Sequence, residues 1–385
     1  MLLGEARSKC EHVTQVPLHP KTAENLHLMY LVKGAAATTA IEGNTLTEEQ
    51  VSKRLDGTLR LSPSKEYQGI EVDNILAACN WLLQEVAEQH GAPPLNPDTI
   101  REFNRRILAN LELEDGVISG EFRNYPVGVL HGRYRGAPAE DCELLVERLC
   151  EWLSNLAPEE GAIDGVGLAI LKAILAHLYL AWIHPFGDGN GRTARMLELL
   201  ILLSSGVPSV ATHLLSNHYN QTRAEYYRQL QRSSASGGDI LPFVHYALSG
   251  FVEGLREQIE HIRIQHLQTI WRDFIHEHFE DKNSLADGRR QKLILDISEA
   301  RGPIPIAKLR ELTPRVASAY ARTSPRTLSR DLAILAEMKL VSISDEGVTA
   351  SRDQILALLP VREAGGGPSP DSESLPQWDG AEPSV

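Results

Sequence analysis

Cysteine is scarce in this chain. Its four residues, Cys10, Cys79, Cys142 and Cys150, show no CxxC spacing, so neither a zinc cage nor a disulfide framework is indicated and a reducing cytoplasm is the expected setting. Basic charge is also short: 38 Lys and Arg stand against 51 Asp and Glu, a net of −13. That balance excludes a nucleic-acid binder over the whole surface and leaves room only for a local basic face. The opening MLLGEARSKCEHV lacks the continuous apolar core and small-residue cleavage site of a secretory signal, so export is not expected. The most apolar stretch, Val166 to Ile183, contains Lys172 and His177 and runs into the charged loop at Asp188. It reads as a buried helix and not as a membrane span. No internal repeat is present.

What is there is ordinary globular material, 42% hydrophobic and 23% charged, in a length that fits two or three folded units. Apolar residues recur at three- and four-residue intervals through IREFNRRILANL, LLVERLCEWLSNL, LAILKAILAHLYLAWI and ARMLELLILL, which predicts a helical core between Lys21 and His278. One segment, Ile118 to Arg135, breaks the pattern with Gly, Pro and Asn among β-formers, as a hairpin or extended flap does. A shift in composition at Asp281 to Gly288 predicts a linker.

Beyond it the spacing predicts helices over Arg290–Ala300, Ile306–Leu312 and Ser324–Lys339, the last with Ser324 as N-cap, Pro325 at the first position and a stripe of Leu328, Leu332, Leu335 and Met338. Two β-like runs, Leu340–Ile343 and Gly347–Ala350, flank Asp345 and Glu346 as a wing does, so a winged helix-turn-helix is expected. The final residues, rich in Gly, Pro, Ser and acid, are expected to be disordered. The expected divisions are 1–115 (N-terminal helices), 116–280 (core), 281–288 (linker), 289–362 (winged helix-turn-helix) and 363–385 (tail).

The segment that carries chemistry is His184-Pro-Phe-Gly-Asp-Gly-Asn-Gly-Arg-Thr-Ala-Arg195, between an apolar helix and the next one. Glycines 187, 189 and 191 let the backbone turn its N–H groups inward, and the positive end of the following helix adds to this anion cradle. Arg192 and Arg195, three apart, can grip phosphate oxygens from one side. Asp188 is a lone carboxylate of the kind that Mg²⁺ shares with phosphates and water. His184 is the one group in the loop able to accept a proton near neutral pH.

With every defining position filled, HPFGDGNGRTAR resembles the signature of the Fic/Doc family. The resemblance implies a mainly α fold, a Fic-type helical core with a short β-hairpin flap. It implies ATP as donor with Mg²⁺ at Asp188, His184 as general base, and the nucleotide held by Gly187, Asp188, Gly189, Asn190, Gly191, Arg192 and Arg195. The expected reaction moves AMP from ATP to a Ser, Thr or Tyr hydroxyl of a target protein or of the chain itself. GEFRNYPVGV resembles the family's flap, whose strand edge at Val127, Gly128 and Val129 would align the target by strand addition. In LLSNHYNQTRAEYYRQL, Tyr226 or Tyr227 would lie near the adenine, with ordinary packing the alternative; Thr222 stands where an Asn is common.

GAAATTAIEGNTLT, residues 34–47, resembles the family's inhibitory motif, with Thr38, Glu42 and Gly43 in place. Its alanines favour a helix that Gly43 ends, which puts Thr38 and Glu42 on one face. Glu42 is then expected to pair with Arg195, to occupy the γ-phosphate space, and in some relatives also to support removal of AMP. Residues 287–362 hold 13 Lys and Arg against 9 Asp and Glu, so Arg326, Thr327, Ser329 and Arg330 could meet DNA. Protein docking and a homodimer contact are the alternatives for that domain. A rival to the enzyme is a nucleotide-sensing transcriptional regulator, which needs the cradle but not His184.

Overall fold

The computed structural model describes residues 1–16, 20–88, 92–129, 134–157, 165–300 and 302–356. They divide into two compact units between Gln265 and His266. The expected tail at 363–385 lies outside the described residues.

In the first unit the order is α1 (Leu2–Gln15), α2 (Pro20–Ile41), α3 (Glu48–Leu55), α4 (Glu66–Glu88), α5 (Pro97–Ile107), a hairpin of β1 (Gly128–Val129) and β2 (Tyr134–Arg135), α6 (Cys142–Asn155), α7 (Gly165–Ile183), α8 (Asn190–Ser204), α9 (Leu214–Gln221), α10 (Arg223–Ala235) and α11 (Leu241–Phe279). Local chemistry sets several starts. Thr47 and Gln50 form a reciprocal capping box at α3, and Asn96 accepts from the Thr99 N–H at α5, with Pro97 at the first position.

Helices α7 and α8 pack along each other at the centre of this unit. Helix α7 is long and apolar enough to cross a bilayer by composition, but Ile170, Ala173, Ile174, Leu178 and Leu180 are wholly buried in the core. On α8 the run from Thr193 to Leu202 is buried on all sides, as expected of a helix with neighbours all round. Helices α4 and α5 pack on α8, and α2 lies against α4 and α9. The end of α2, with Glu42 just beyond it, therefore reaches the start of α8.

The mainly helical fold with a short antiparallel hairpin agrees with expectation. The hairpin pairs Gly128 with Arg135 and Val129 with Tyr134, inside the predicted flap. Helix α8 begins at Asn190, where Gly189 takes φ +76 and serves as its N-cap.

The expected linker at 281–288 does not coincide with the division between the units, which falls at Gln265/His266 within α11. Phe251, Leu255 and Ile262 of that helix join the first core, and Trp271, Ile275 and Phe279 join the second. In the second unit, α12 (Leu285–Glu299) is capped by Ser284 and takes up part of the expected linker. A 3₁₀ turn at Ile306–Glu311, α13 (Pro314–Tyr320), α14 (Pro325–Glu337), an antiparallel hairpin of β3 (Val341–Ser344) and β4 (Gly347–Ala350), and α15 (Asp353–Leu356) follow.

The segment at Ile306 is thus 3₁₀ and not α. Helix α13 was not anticipated, although Thr313 accepts from the Val316 N–H and Pro314 opens the helix. Leu328, Leu332 and Leu335 are buried as the α14 stripe requires. Asp331, 1% exposed, accepts from Arg289 Nε and Arg290 Nε, both at 2.8 Å, and from the Tyr320 hydroxyl at 3.0 Å, tying α12, α13 and α14 together.

Candidate active site

His184 follows the last turn of α7 with φ 51, a left-handed conformation that a side chain of this size adopts only when its surroundings enforce it. Arg123 supplies much of that enforcement. Its guanidinium donates to four carbonyls, His184 O at 2.7 Å, Tyr125 O at 2.7 Å, Ala137 O and Ile183 O at 3.4 Å. One buried cation therefore caps the C-terminal end of α7, where the helix dipole favours it, and pins the flap beside the histidine. Gly136 permits this closeness, since a Cβ there would lie 2.9 Å from Arg123 Nη2 and 3.1 Å from His184 Cβ. Arg123 was missed as a site residue, because nothing local separates it from the other charged residues of the flap segment, Glu121, Arg133 and Arg135.

Burial lowers the His184 pKa to about 4, so the imidazole is neutral at physiological pH. Its Nδ1 lies 3.4 Å from the Ala181 carbonyl, an acceptor that holds the ring proton on Nδ1 and leaves the Nε2 lone pair available.

The loop after His184 is closed by its own side chains. Asn190 accepts from Phe186 N–H at 2.9 Å and donates back to Phe186 O at 2.8 Å. Its amide thus clips the loop shut, so the Asn190 side chain is engaged within the loop. Gly187 faces Tyr125 and Val117, where a Cβ would collide, and Asn104 donates to the Asp188 carbonyl at 2.9 Å. Asp188 accepts from the Gly189 N–H and keeps 52% of its side chain exposed.

Each arginine meets a carboxylate from a distant part of the chain, Glu42 just past α2 and Glu71 in α4. Arg195 Nη2 donates to Glu42 Oε1 at 2.6 Å and to Thr38 O at 2.9 Å, and Nε to the Thr38 hydroxyl at 2.5 Å. Thr38 and Glu42 do share one face. Arg192 Nη1 donates to Glu71 Oε1 at 3.0 Å while Nη2 lies 3.3 Å from Asp188 Oδ1. The two guanidinium groups are thus drawn to separate partners. Glu71 was not anticipated, because nothing in α4 marks one acid among several. Its other oxygen accepts from Asn44 at 2.9 Å, which ties it to the chain just after Glu42.

Burial pushes the Glu42 pKa up, but the charge and hydrogen bond of Arg195, with Arg192 and His184 adding to them, outweigh that and hold the carboxyl below its usual range. One third of its side chain, 33%, still faces open space, and Oε1 lies where a Cβ on Gly191 would be. Two donors remain unanswered: among the described residues, Arg192 Nε and Arg195 Nη1 are buried without a hydrogen-bond partner.

Open space here means a cavity of about 840 Å³. Glu42, Gly128, Trp182, His184, Asn190, Gly191, Arg223, Tyr226, Tyr227, Gln231 and Ser234 are among its lining residues. Of the expected site residues, Gly187, Asp188, Gly189, Arg192, Arg195 and Val127 lie behind or beside this lining, and for Val129 only the backbone is described. Tyr227 donates to Ile41 O at 3.1 Å, next to Glu42, while the Tyr226 hydroxyl meets His177 in the core. Thr222 pairs with Tyr246 at 2.6 Å.

Among the described residues no group of three or more His, Cys, Asp and Glu converges as a metal cage. The half-exposed Asp188 beside the loop suits an ion that brings water and phosphate as its other ligands.

Residues 94–202 match the model of the Fic/DOC family. Over 210 residues the chain is 35% identical to protein adenylyltransferase fic-1 of Caenorhabditis elegans, covering 54% of this chain and 37% of that protein. Over 213 residues it is 32% identical to protein adenylyltransferase Fic of Nematostella vectensis, covering 54% and 44%. The match spans less than half the length of these relatives. Among solved structures, residues 134–508 of Fic-1 from C. elegans align with TM-score 0.53 at 26% identity, covering 69% of this chain and 72% of that one. A Fic family protein from Desulfovibrio desulfuricans aligns over 96% of this chain and 97% of its own, with TM-score 0.54 at 20% identity, a likeness of fold.

Proposed function

We propose, from the premise that residues 94–202 match the Fic/DOC family, that the chain is a protein adenylyltransferase held in check by Glu42. ATP binds in the cavity with its phosphates toward the loop. The oxygen of a target Ser, Thr or Tyr forms a bond to the α-phosphorus, the bond from that phosphorus to the β-phosphate oxygen breaks, and pyrophosphate leaves. The hydroxyl proton passes to His184 Nε2. That nitrogen is free to take it because burial keeps the ring neutral and the Ala181 carbonyl keeps the other nitrogen protonated.

The loop N–H groups, Arg192 and Arg195 face developing charge on the phosphates, so positioning and electrostatics supply most of the rate. Asp188 would hold the Mg²⁺ that arrives with the triphosphate and neutralises it. The strand edge at Val127 to Val129 offers backbone groups to an extended target segment.

The observation that carries this reading is the pair of orphaned donors, Arg192 Nε and Arg195 Nη1, beside a cavity that also holds a neutral histidine and a carboxylate plug. Phosphate oxygens would satisfy them. Glu42 already holds Nη2 of the same Arg195 guanidinium, so it competes with the terminal phosphate for that group. Purified protein is to be incubated with labelled ATP and Mg²⁺ beside Glu42→Gly and His184→Ala/Glu42→Gly. Labelling that rises in the first variant and vanishes in the second is expected. No label on the chain or on a lysate with Glu42→Gly would overturn the enzyme reading in favour of a nucleotide sensor. Release of AMP from pre-labelled target by water, with and without Glu42, tests the hydrolytic removal.

For the second unit we propose a nucleic-acid contact through α14. Arg326, Ser329 and Arg330 are exposed on its first turns, and neither arginine has an ion-pair partner among the described residues. DNA binding that weakens with salt and with Arg326→Glu/Arg330→Glu is expected; binding that ignores both changes would leave protein docking as its role.

A further inference from the structure

The proposed transfer leaves a fully buried histidine of α7 unused. His177 stands on α7 about two turns before that helix hands over to His184, in the most apolar part of the sequence. It is the centre of a polar chain through the core. Its Nε2 lies 2.8 Å from the Tyr226 hydroxyl, and its Nδ1 lies 3.1 Å from Glu198 Oε1. That carboxylate oxygen also accepts the Tyr219 hydroxyl at 3.0 Å. None of the four residues is more than 3% exposed, and each comes from a different helix, α7, α8, α9 or α10.

Such a chain needs a reason. Glu198 sits among Leu197, Leu199 and Leu200, where an apolar side chain would fill the core without desolvating a carboxylate. Its contact with His177 Nδ1 is an electrostatic one outside good hydrogen-bond alignment, and Oε2 has no partner among the described residues. An arrangement this incompletely satisfied is a poor device for stability alone. Its one directional consequence lies at the far end. With the imidazole proton drawn to Nδ1 by the carboxylate, Nε2 accepts the Tyr226 O–H.

Tyr226 also lines the cavity of about 840 Å³, packed on Tyr219 at 4.8 Å and against Tyr227 at 5.1 Å. A phenol beside a void of that size can swing into it unless its outer end is tied. Tied, it turns its ring and not its hydroxyl to the cavity.

We propose that Glu198 and His177 are positioning residues for the nucleotide: they anchor the Tyr226 hydroxyl in the core and so fix its ring as the wall on which the base of ATP packs. This rests on the transferase reading. Arg195, one turn before Glu198 on α8, holds the phosphate end of the same ligand, so one helix sets both ends of the nucleotide.

The test uses the full chain in the Glu42→Gly background, with ATP affinity from calorimetry and kcat and KM from labelled transfer. Tyr226→Phe, which removes only the anchored oxygen, and Glu198→Gln are each expected to raise Kd and KM for ATP at least about 5-fold. kcat at saturating ATP should change less than about 2-fold, and the double variant should be no worse than the weaker-binding single one. A role confined to stability would move melting temperature without this split. An ATP Kd unchanged in Tyr226→Phe, or effects that multiply in the double variant, overturns the proposal.

A nucleotide-free crystal structure of Glu198→Gln, or of Tyr226→Phe should the former not fold, reads the anchor directly. A ring at position 226 that moves supports the anchor, and one that keeps its rotamer overturns it. If Glu42→Gly itself neither binds nor transfers, the transferase reading fails, and the ring position still decides the anchor.

Discussion

Replacing Glu42 by glutamine keeps the side chain's size and removes its charge opposite Arg195. The Arg195 side chain is 2% exposed and that of Glu42 33%, so the pair stands at the edge of the buried region. Breaking a fully buried pair costs about 3–5 kcal/mol, and breaking an exposed one about 0–1 kcal/mol. Thr38 keeps its two hydrogen bonds to Arg195, and the glutamine carbonyl still accepts one. A loss of about 1–2 kcal/mol is therefore expected, a fall in melting temperature of roughly 2–8 °C for a unit of this size.

ATP should reverse it. At a hundred times its Kd a ligand stabilises the native state by about 2.7 kcal/mol, and in the variant its terminal phosphate meets an Arg195 with no rival. Scanning fluorimetry with and without Mg²⁺ and ATP, run beside labelled transfer, reads both effects. The variant should melt lower alone, shift further with ATP than the wild-type chain, and transfer faster. Equal melting temperatures together with equal ATP shifts would refute the competition between Glu42 and phosphate.

Burial holds the His184 pKa at about 4, below its ordinary 6.5, so its contribution to stability is complete above pH 6.5 and is lost as pH falls toward 4. Accordingly kcat/KM for Glu42→Gly, which reports the free enzyme, should stay level from pH 8 down to about 5; an acid limb near 6.5 would contradict the burial. Arg123→Lys keeps the charge but cannot serve four carbonyls, and should lower kcat about 10-fold or more by freeing His184, with the ATP Kd little changed; equal kcat would show that the pin is dispensable. Tyr227→Phe removes the hydrogen bond to Ile41 O and should raise basal transfer about 2- to 5-fold by loosening the residue before Glu42, as measured by autolabelling. Asp331→Asn leaves two arginines without their buried partner, and should destabilise the second unit by about 2 kcal/mol or more, read as a separate calorimetric transition, without altering transfer.

The catalytic loop was legible because its chemistry is contiguous: His184, Asp188 and the glycines are neighbours in sequence, and Gly189 at φ +76 and Gly191 against Glu42 are where only glycine serves. The Glu42 partner of Arg195 was legible through the resemblance of residues 34–47 to the family's inhibitory motif, while helical spacing added only that Thr38 and Glu42 share one face. Boundaries were less so. Helical periodicity runs unbroken through α11, so nothing local marks where its apolar face passes from one core to the other at residue 265.

Composition, periodicity and one dense motif by themselves determined a mainly helical chain, the place of the loop, and the types of group it brings to a phosphate. Tertiary structure alone decided that Glu71 faces Arg192, that Arg123 props His184, and that Glu198 reaches Tyr226 through His177. The reason is physical. A motif records what must be adjacent along the backbone, whereas a buried charge is satisfied by whatever the packing of helices carries to it, from 61 residues away for Arg123 and 121 for Glu71.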